Sequence, residues 1–215
     1  MNLALFYDTE TTGLPLFNEP SEDPRQPHIV QLGAVLVDMD SRNSIASLDV
    51  IVRPNGWTIP EEVSKVHGIT TEHALAVGVP ESLAVGLFME LCSGRLRIAH
   101  NEQFDARILR IALLRHEPDA STADEWKSGA AKCTAQLSTP ICKLPPTERM
   151  RAAGRNHHKT PNLGEAYRHF TGSELVGAHS AMVDVRACMA VYFAITGAVA
   201  PSAAPAPVAL PASIF

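Results

Sequence analysis

Two carboxylates close the first apolar run of this chain. Leu3-Ala4-Leu5-Phe6-Tyr7 leads into Asp8-Thr9-Glu10, and Thr11-Thr12-Gly13-Leu14 follows. A short apolar run of this kind reads as a buried strand, over residues 3–8, that ends in two carboxylates and a turn. Residues two apart on a strand point the same way, so Asp8 and Glu10 share a face. Side by side they repel unless a proton or a cation lies between them. Hard divalent cations such as Mg²⁺ take oxygen ligands of this type. The Thr11 and Thr12 hydroxyls and the Gly13 backbone stand at the strand's exit. Taken alone, Asp-x-Glu reads as an acidic strand end facing solvent. Three further polar residues, Asp105, His179 and Asp184, change that reading.

The elements that carry those three can be read from local pattern. Arg95 to His100 reads as a strand, and Asn101 is placed to cap the helix after it. Phe104, Ile108, Ile111 and Ala112 form one apolar face of that helix, with Asp105 in its opening turns. The last helix opens with His179-Ser180-Ala181-Met182-Val183-Asp184. Inside one regular helix, His179 and Asp184 would point roughly 140° apart. With Ser180 as N-cap, His179 lies outside the helix and is free to turn toward Asp184. Each of Asp105 and Asp184 also fits a plainer role, an acid favouring the helix dipole by ~0.3–1 kcal/mol. Together the four acids occupy strand ends and early helical turns, which gather at one edge of an open α/β sheet. Two Mg²⁺ or Mn²⁺ ions roughly 4 Å apart would neutralise them and clamp a phosphoryl group for in-line displacement. An imidazole titrates near neutrality, so His179 could take a proton from attacking water.

The remaining pattern supports a single α/β domain. Ile29–Asp38 and Ala46–Arg53 read as strands, with Asp40 to Asn43 supplying the turn of an antiparallel hairpin. Residues 14–28 are a Pro- and acid-rich surface loop. Short helical pieces span 60–76, and a longer helix runs from Pro80 to Cys92. A short helix around Trp126, a fifth strand over Lys132–Leu137, a helix over Asn162–Phe170 and the final helix to about Thr196 follow. Strands first, then helix–strand alternation, predicts a mixed sheet with helices on its faces.

Composition narrows the setting. The chain has 215 residues and a formal net charge of −5. Its length is enough for one sizeable core. The negative balance gives no sign of nucleic-acid binding, so such contact must come from a local basic patch or from metal. Arg149, Arg151, Arg155, His157, His158 and Lys159 form the one cationic cluster, which fits a phosphate contact or a solvated loop. Four cysteines without zinc spacing read as reduced thiols in a cytoplasmic protein. No apolar run has membrane-span length, and the N-terminus lacks the features of a signal peptide. Residues 1–197 read as the domain and 198–215 as an Ala/Pro-rich tail.

Three motifs give the chain a resemblance. Phe6 to Leu14, Ile98 to Asp105 and His179 to Val185 together resemble the DEDDh (DnaQ-like) family of 3′–5′ exonucleases, which includes the proofreading epsilon subunit of bacterial DNA polymerase III. The likeness spans roughly residues 3–196. It implies a ribonuclease H-like fold whose first three strands are antiparallel. It implies that Asp8, Glu10 and Asp184 hold one metal, that Asp8 reaches a second with help from Asp105, and that His179 is the general base. It also implies that Leu14, Val66 and His67 meet the terminal nucleotide, with Thr11, Thr12, Asn101 and Phe104 among the substrate contacts. Leu14 and Val66 fit equally as core residues. The implied activity releases 5′-mononucleotides from a 3′ end. DNA is the favoured substrate, in proofreading, repair or phage replication. RNA trimming is the alternative, and an accessory subunit with weak catalysis a further one. The tail, ending in Ser213-Ile214-Phe215, reads as unstructured; a rival reading makes it a tether to a polymerase or sliding clamp.

Overall fold

The structure, a computed structural model, describes residues 2–116 and 120–197. The tail, and with it the tether reading, lies outside the described residues. Three strands open the chain: β1 (Leu3–Thr11), β2 (Ile29–Asp38) and β3 (Ser44–Ile51). Helices α1 (Glu61–His67), α2 (Thr71–Val77) and α3 (Glu81–Cys92) lead to β4 (Leu96–Ala99). Then come α4 (Glu102–His116), α5 (Ser121–Ser128), β5 (Ala131–Cys133), α6 (Thr134–Cys142), α7 (Glu148–Ala152), α8 (Leu163–Thr171) and α9 (Ala181–Ile195).

The sheet order is β3-β2-β1-β4-β5. β1 pairs antiparallel with β2, and β2 with β3, while β1–β4 and β4–β5 are parallel. This is the expected mixed sheet with three antiparallel strands first. β1 is central, and its alternation builds two cores. Leu5 and Tyr7 pack on one face with Phe88 of α3, Leu109 of α4 and Trp126 of α5. Ala4 and Phe6 pack on the other with Val185, Tyr192 and Phe193 of α9. Helices therefore cover both faces. β2 is buried along nearly its whole length, as its almost unbroken apolar run requires for a strand covered on both sides.

Several local readings need correction. β1 continues past the expected end at Asp8, because its pairing with β2 runs on through Glu10 opposite Gln31. The strand expected over Lys132–Leu137 stops at Cys133, and Thr134 begins a helix. Its partner β4 is short: pairing ends at Ala99 opposite Cys133. Beyond that point Thr134 turns inward, where its hydroxyl meets His100 Nδ1 at 2.9 Å. Asn101 does not hold the extended backbone of an N-cap; its φ is 64°, and it makes a left-handed corner between β4 and α4. The four thiols are free, as expected, although only Cys92 and Cys188 are fully buried. Among the described residues no helix is long and apolar enough to cross a membrane.

Candidate active site

The site forms where the end of β1 meets the first turns of α4 and α9. Alternation places Asp8 and Glu10 on the Ala4–Phe6 face, the face that α9 covers. Glu10, His179 and Asp184 bring one ligand atom each to within 4.8 Å of one another. His179 lies just outside α9 with φ 67°, an uncommon left-handed conformation for a residue with a side chain. In this turn its backbone amide donates to Asp184 Oδ2 at 3.1 Å. The pair therefore converges from loop and helix, an arrangement the spacing allowed.

Asp105 comes from α4 and is 2% exposed. Its Oδ1 accepts from the Thr9 amide at 3.0 Å and from the Thr9 hydroxyl at 2.7 Å. The first turn of α4 is held by a second contact. Glu102 Oε1 accepts from Tyr7 Oη at 3.0 Å and from Arg97 Nε at 2.8 Å. Arg97 also donates to the Trp126 carbonyl and lies 3.9 Å from that ring. Each of these buried charges has a partner, which such groups require.

The start of α9 is fixed by β2. Ser180 occupies the N-cap position, but its hydroxyl makes no capping bond. Gln31 performs that task from the sheet. Its Oε1 accepts from the Ala181 amide at 3.1 Å, and its Nε2 donates to Asp49 at 2.8 Å. Two residues along β2, Gly33 lies directly opposite Asp8. A Cβ on Gly33 would fall 2.8 Å from the Ala181 carbonyl carbon. The glycine lets the helix start press onto the strand. Sequence reasoning missed Gln31, Gly33 and Thr9. One signal was present for Gln31: it is a lone polar residue in the run Ile29 to Val37. Nothing in the pattern marked Thr9 or Gly33.

Crowding in low dielectric shifts the acids toward protonation. Burial pushes Asp8 well above the usual carboxylate range, and the charges of Asp105, Asp184 and Glu10 add to it. Glu10 is pushed up to about 7 by burial, then by Asp184 and Asp105. Asp105 also stands at about 7: burial raises it while the two Thr9 bonds oppose. Burial raises Asp184 against the opposing amide and charge of His179. Asp184 Oδ1 is buried with no hydrogen-bond partner among the described residues. An unpaired carboxylate oxygen, an imidazole and three more acids crowded together form a donor set that fits hard divalent cations.

The expected substrate contacts differ in exposure and in their bonding. Leu14 is 73% and Val66 53% exposed, which rules out the core reading for both. His67 closes α1, and its Nδ1 accepts from the Ile69 amide at 3.1 Å. Its Nε2 is buried and without a partner among the described residues. Burial and the charge of His179 lower its pKa. Thr11 Oγ1 donates to the Gly13 carbonyl at 2.7 Å, and Thr12 Oγ1 accepts from the His28 amide at 2.9 Å. Both hydroxyls thus shape the strand's exit. Asn101 is exposed and Phe104 half-buried at the start of α4. The cationic segment contains α7, and its Lys159 is spent on an ion pair with Glu165.

A central mixed five-stranded sheet with three antiparallel strands first and helices on both faces is the arrangement of the ribonuclease H-like fold. The exonuclease family model RNase_T matches residues 5–192, and the chain belongs to that family. No curated protein matches it. Among solved structures, E. coli exonuclease I in complex with a dT13 oligonucleotide is similar, with TM-score 0.68 and 19% identity over 91% of this chain and 41% of that one. The zinc-bound form of the E. coli exonuclease I–single-stranded DNA complex gives 0.67 and 18% over 91% and 40%. A complex of exonuclease I with SSB-Ct gives 0.67 and 18% over 92% and 41%. The chain thus spans about two fifths of the length of the exonuclease I chains that it matches.

Proposed function

We propose that the chain is a 3′–5′ exonuclease that releases 5′-mononucleotides from a DNA end, using two divalent ions, Mg²⁺ or Mn²⁺. The observation that carries this reading is the convergence of Glu10, His179 and Asp184 within 4.8 Å beside Asp8 and Asp105, in a chain of the exonuclease family. Bound cations would offset the crowded negative charge and favour attack of water on the phosphodiester. Asp8, Glu10 and Asp184 would hold one ion, and Asp8 with Asp105 the other.

The chain's own side chains supply the rest. His179 is exposed at the rim and hydrogen-bonds Asp184 through its backbone amide, so its ring would be able to turn and accept the proton of the attacking water. His67 keeps a buried N–H without a partner, and an oxygen of the terminal nucleotide would satisfy it. Exposed Leu14 and Val66 would flank the last base. The exonuclease I structures with oligonucleotides supply the analogy for a single-stranded DNA substrate. Proofreading or repair is the corresponding role, with a polymerase, a clamp or a single-strand-binding protein as the partner class, in the cytoplasm.

The test is a time course on 5′-labelled single-stranded DNA, duplex DNA and RNA, each with Mg²⁺, with Mn²⁺ and with chelator, beside Asp8→Ala. The expected result is a metal-dependent ladder that shortens from the 3′ end of DNA and is absent in the variant. Products shortened from the 5′ end, or activity unchanged by chelator, would overturn the reading.

A further inference from the structure

Beyond the residues the family places at the strand end, we propose that Phe17 is a stacking site for a nucleobase of the substrate strand, upstream of its 3′-terminal nucleotide. The inference rests on the exonuclease reading above and names a residue that this reading does not use. Phe17 is 61% exposed, and it is the single aromatic among the exposed large hydrophobic side chains of the described residues. A ring of this size normally buries most of its area.

The exposure is built rather than loose. Gln26, 2% exposed, anchors the loop from within. Its Oε1 accepts from the Leu16 amide at 3.0 Å, and its Nε2 donates to the Leu16 and Pro20 carbonyls at 3.2 and 2.9 Å. From α4, Arg107 Nη2 donates to the Leu16 and Glu19 carbonyls at 2.9 and 2.7 Å. The backbone on both sides of Phe17 is therefore fixed while its ring is turned to solvent. The Arg107 guanidinium carbon lies 5.6 Å from the ring centroid.

Position and chemistry both point to a nucleotide. Phe17 follows Leu14 by three residues. Its partner Arg107 follows Phe104 by three residues on α4, so the two lie on one face, about 4.5 Å apart along the axis. Leu14 is a contact expected at the terminal nucleotide and Phe104 one expected on the substrate, so Phe17, beside both segments, is assigned to the next nucleotide along the strand. A rigid aromatic face next to a guanidinium suits a ligand that brings a π face and a phosphate together, and it does so without regard to base identity.

The test compares wild type, Phe17→Ala and Phe17→Trp on two substrates. A nitrophenyl ester of thymidine 5′-phosphate engages the catalytic centre alone; a single-stranded dT oligonucleotide extends past it. Phe17→Ala is expected to raise KM for the oligonucleotide roughly 5- to 100-fold, leave ester hydrolysis within about twofold, and be restored by Phe17→Trp. An abasic residue at the second or third position from the 3′ end should weaken wild type similarly and add nothing in Phe17→Ala. Equal oligonucleotide kinetics in wild type and Phe17→Ala would overturn the stacking site and leave the exonuclease reading standing, as would equal losses on both substrates. A wild-type protein that hydrolyses neither substrate with Mg²⁺ or Mn²⁺ would overturn the exonuclease reading, and the stacking site with it.

Discussion

In the proposed mechanism, His179 separates proton transfer from scaffold. Its ring is exposed, and its bond to Asp184 runs through the backbone amide, which any residue keeps. His179→Ala should therefore lower kcat by roughly 10²–10⁴-fold, the usual worth of a general base, with little change in melting temperature. A melting temperature that falls along with kcat would show that the ring is part of the scaffold. Asp105 behaves differently at the same scale. It is buried and ties α4 to Thr9, so its loss should damage structure as well as rate.

At the scale of elements, the placement of α9 on β2 decides whether His179 and Asp184 reach Glu10. Gly33→Ala puts a methyl 2.8 Å from the Ala181 carbonyl carbon, and backbone must move to relieve it. A cost of about 1–3 kcal/mol is expected, with kcat falling more than KM rises. Thermal melts and steady-state rates check this; wild-type values for both would show that the helix start has slack. A second junction joins the start of β2 to α3 and α4. Glu81, 6% exposed, accepts from the Ile29 amide at 3.0 Å, from Arg115 through both oxygens and from His116 at 2.9 Å. Burial alone would raise its pKa, but His28, Arg115, Ile29 and His116 bring it to about 2. A free glutamate titrates near 4.3, so Glu81 contributes stability above that value and loses it as pH falls toward about 2. Glu81→Gln should cost on the order of 3 kcal/mol at pH 7 and flatten the acid limb of the unfolding curve. An unchanged acid limb would assign that limb to other carboxylates.

At the scale of the whole molecule, the acidic centre opposes folding, and the proposed cations would offset that cost. Glu10 and Asp105 keep their protons to about pH 7 in the metal-free fold, whereas the unfolded chain releases them near 4. The folded state binds more protons between those values, so this centre lowers stability as pH rises from about 4 to about 7. Cation binding requires the deprotonated acids and tightens over the same range. Melting temperature should thus rise more on adding Mg²⁺ or Mn²⁺ at pH 8 than at pH 5.5, and chelator should reverse it. Equal shifts at both pH values would place the cations elsewhere.

Period and order made the main elements legible in the sequence: the apolar runs of β1 and β2 and the helix from Asn162, where the structure adds a capping box with Glu165. The same pattern drew attention to Asp8, Glu10, Asp105, His179 and Asp184, the residues of the proposed centre, because residue type and a place at an element's end are both local properties. Tertiary structure alone decided how far strands extend and what holds the helix starts. β5 ends at Cys133 because β4 offers no partner beyond Ala99. Ser180 had the right type for a cap, yet Gln31, 150 residues away, makes the bond. Local sequence encodes propensity within a few residues, whereas these contacts exist only once distant segments are packed together.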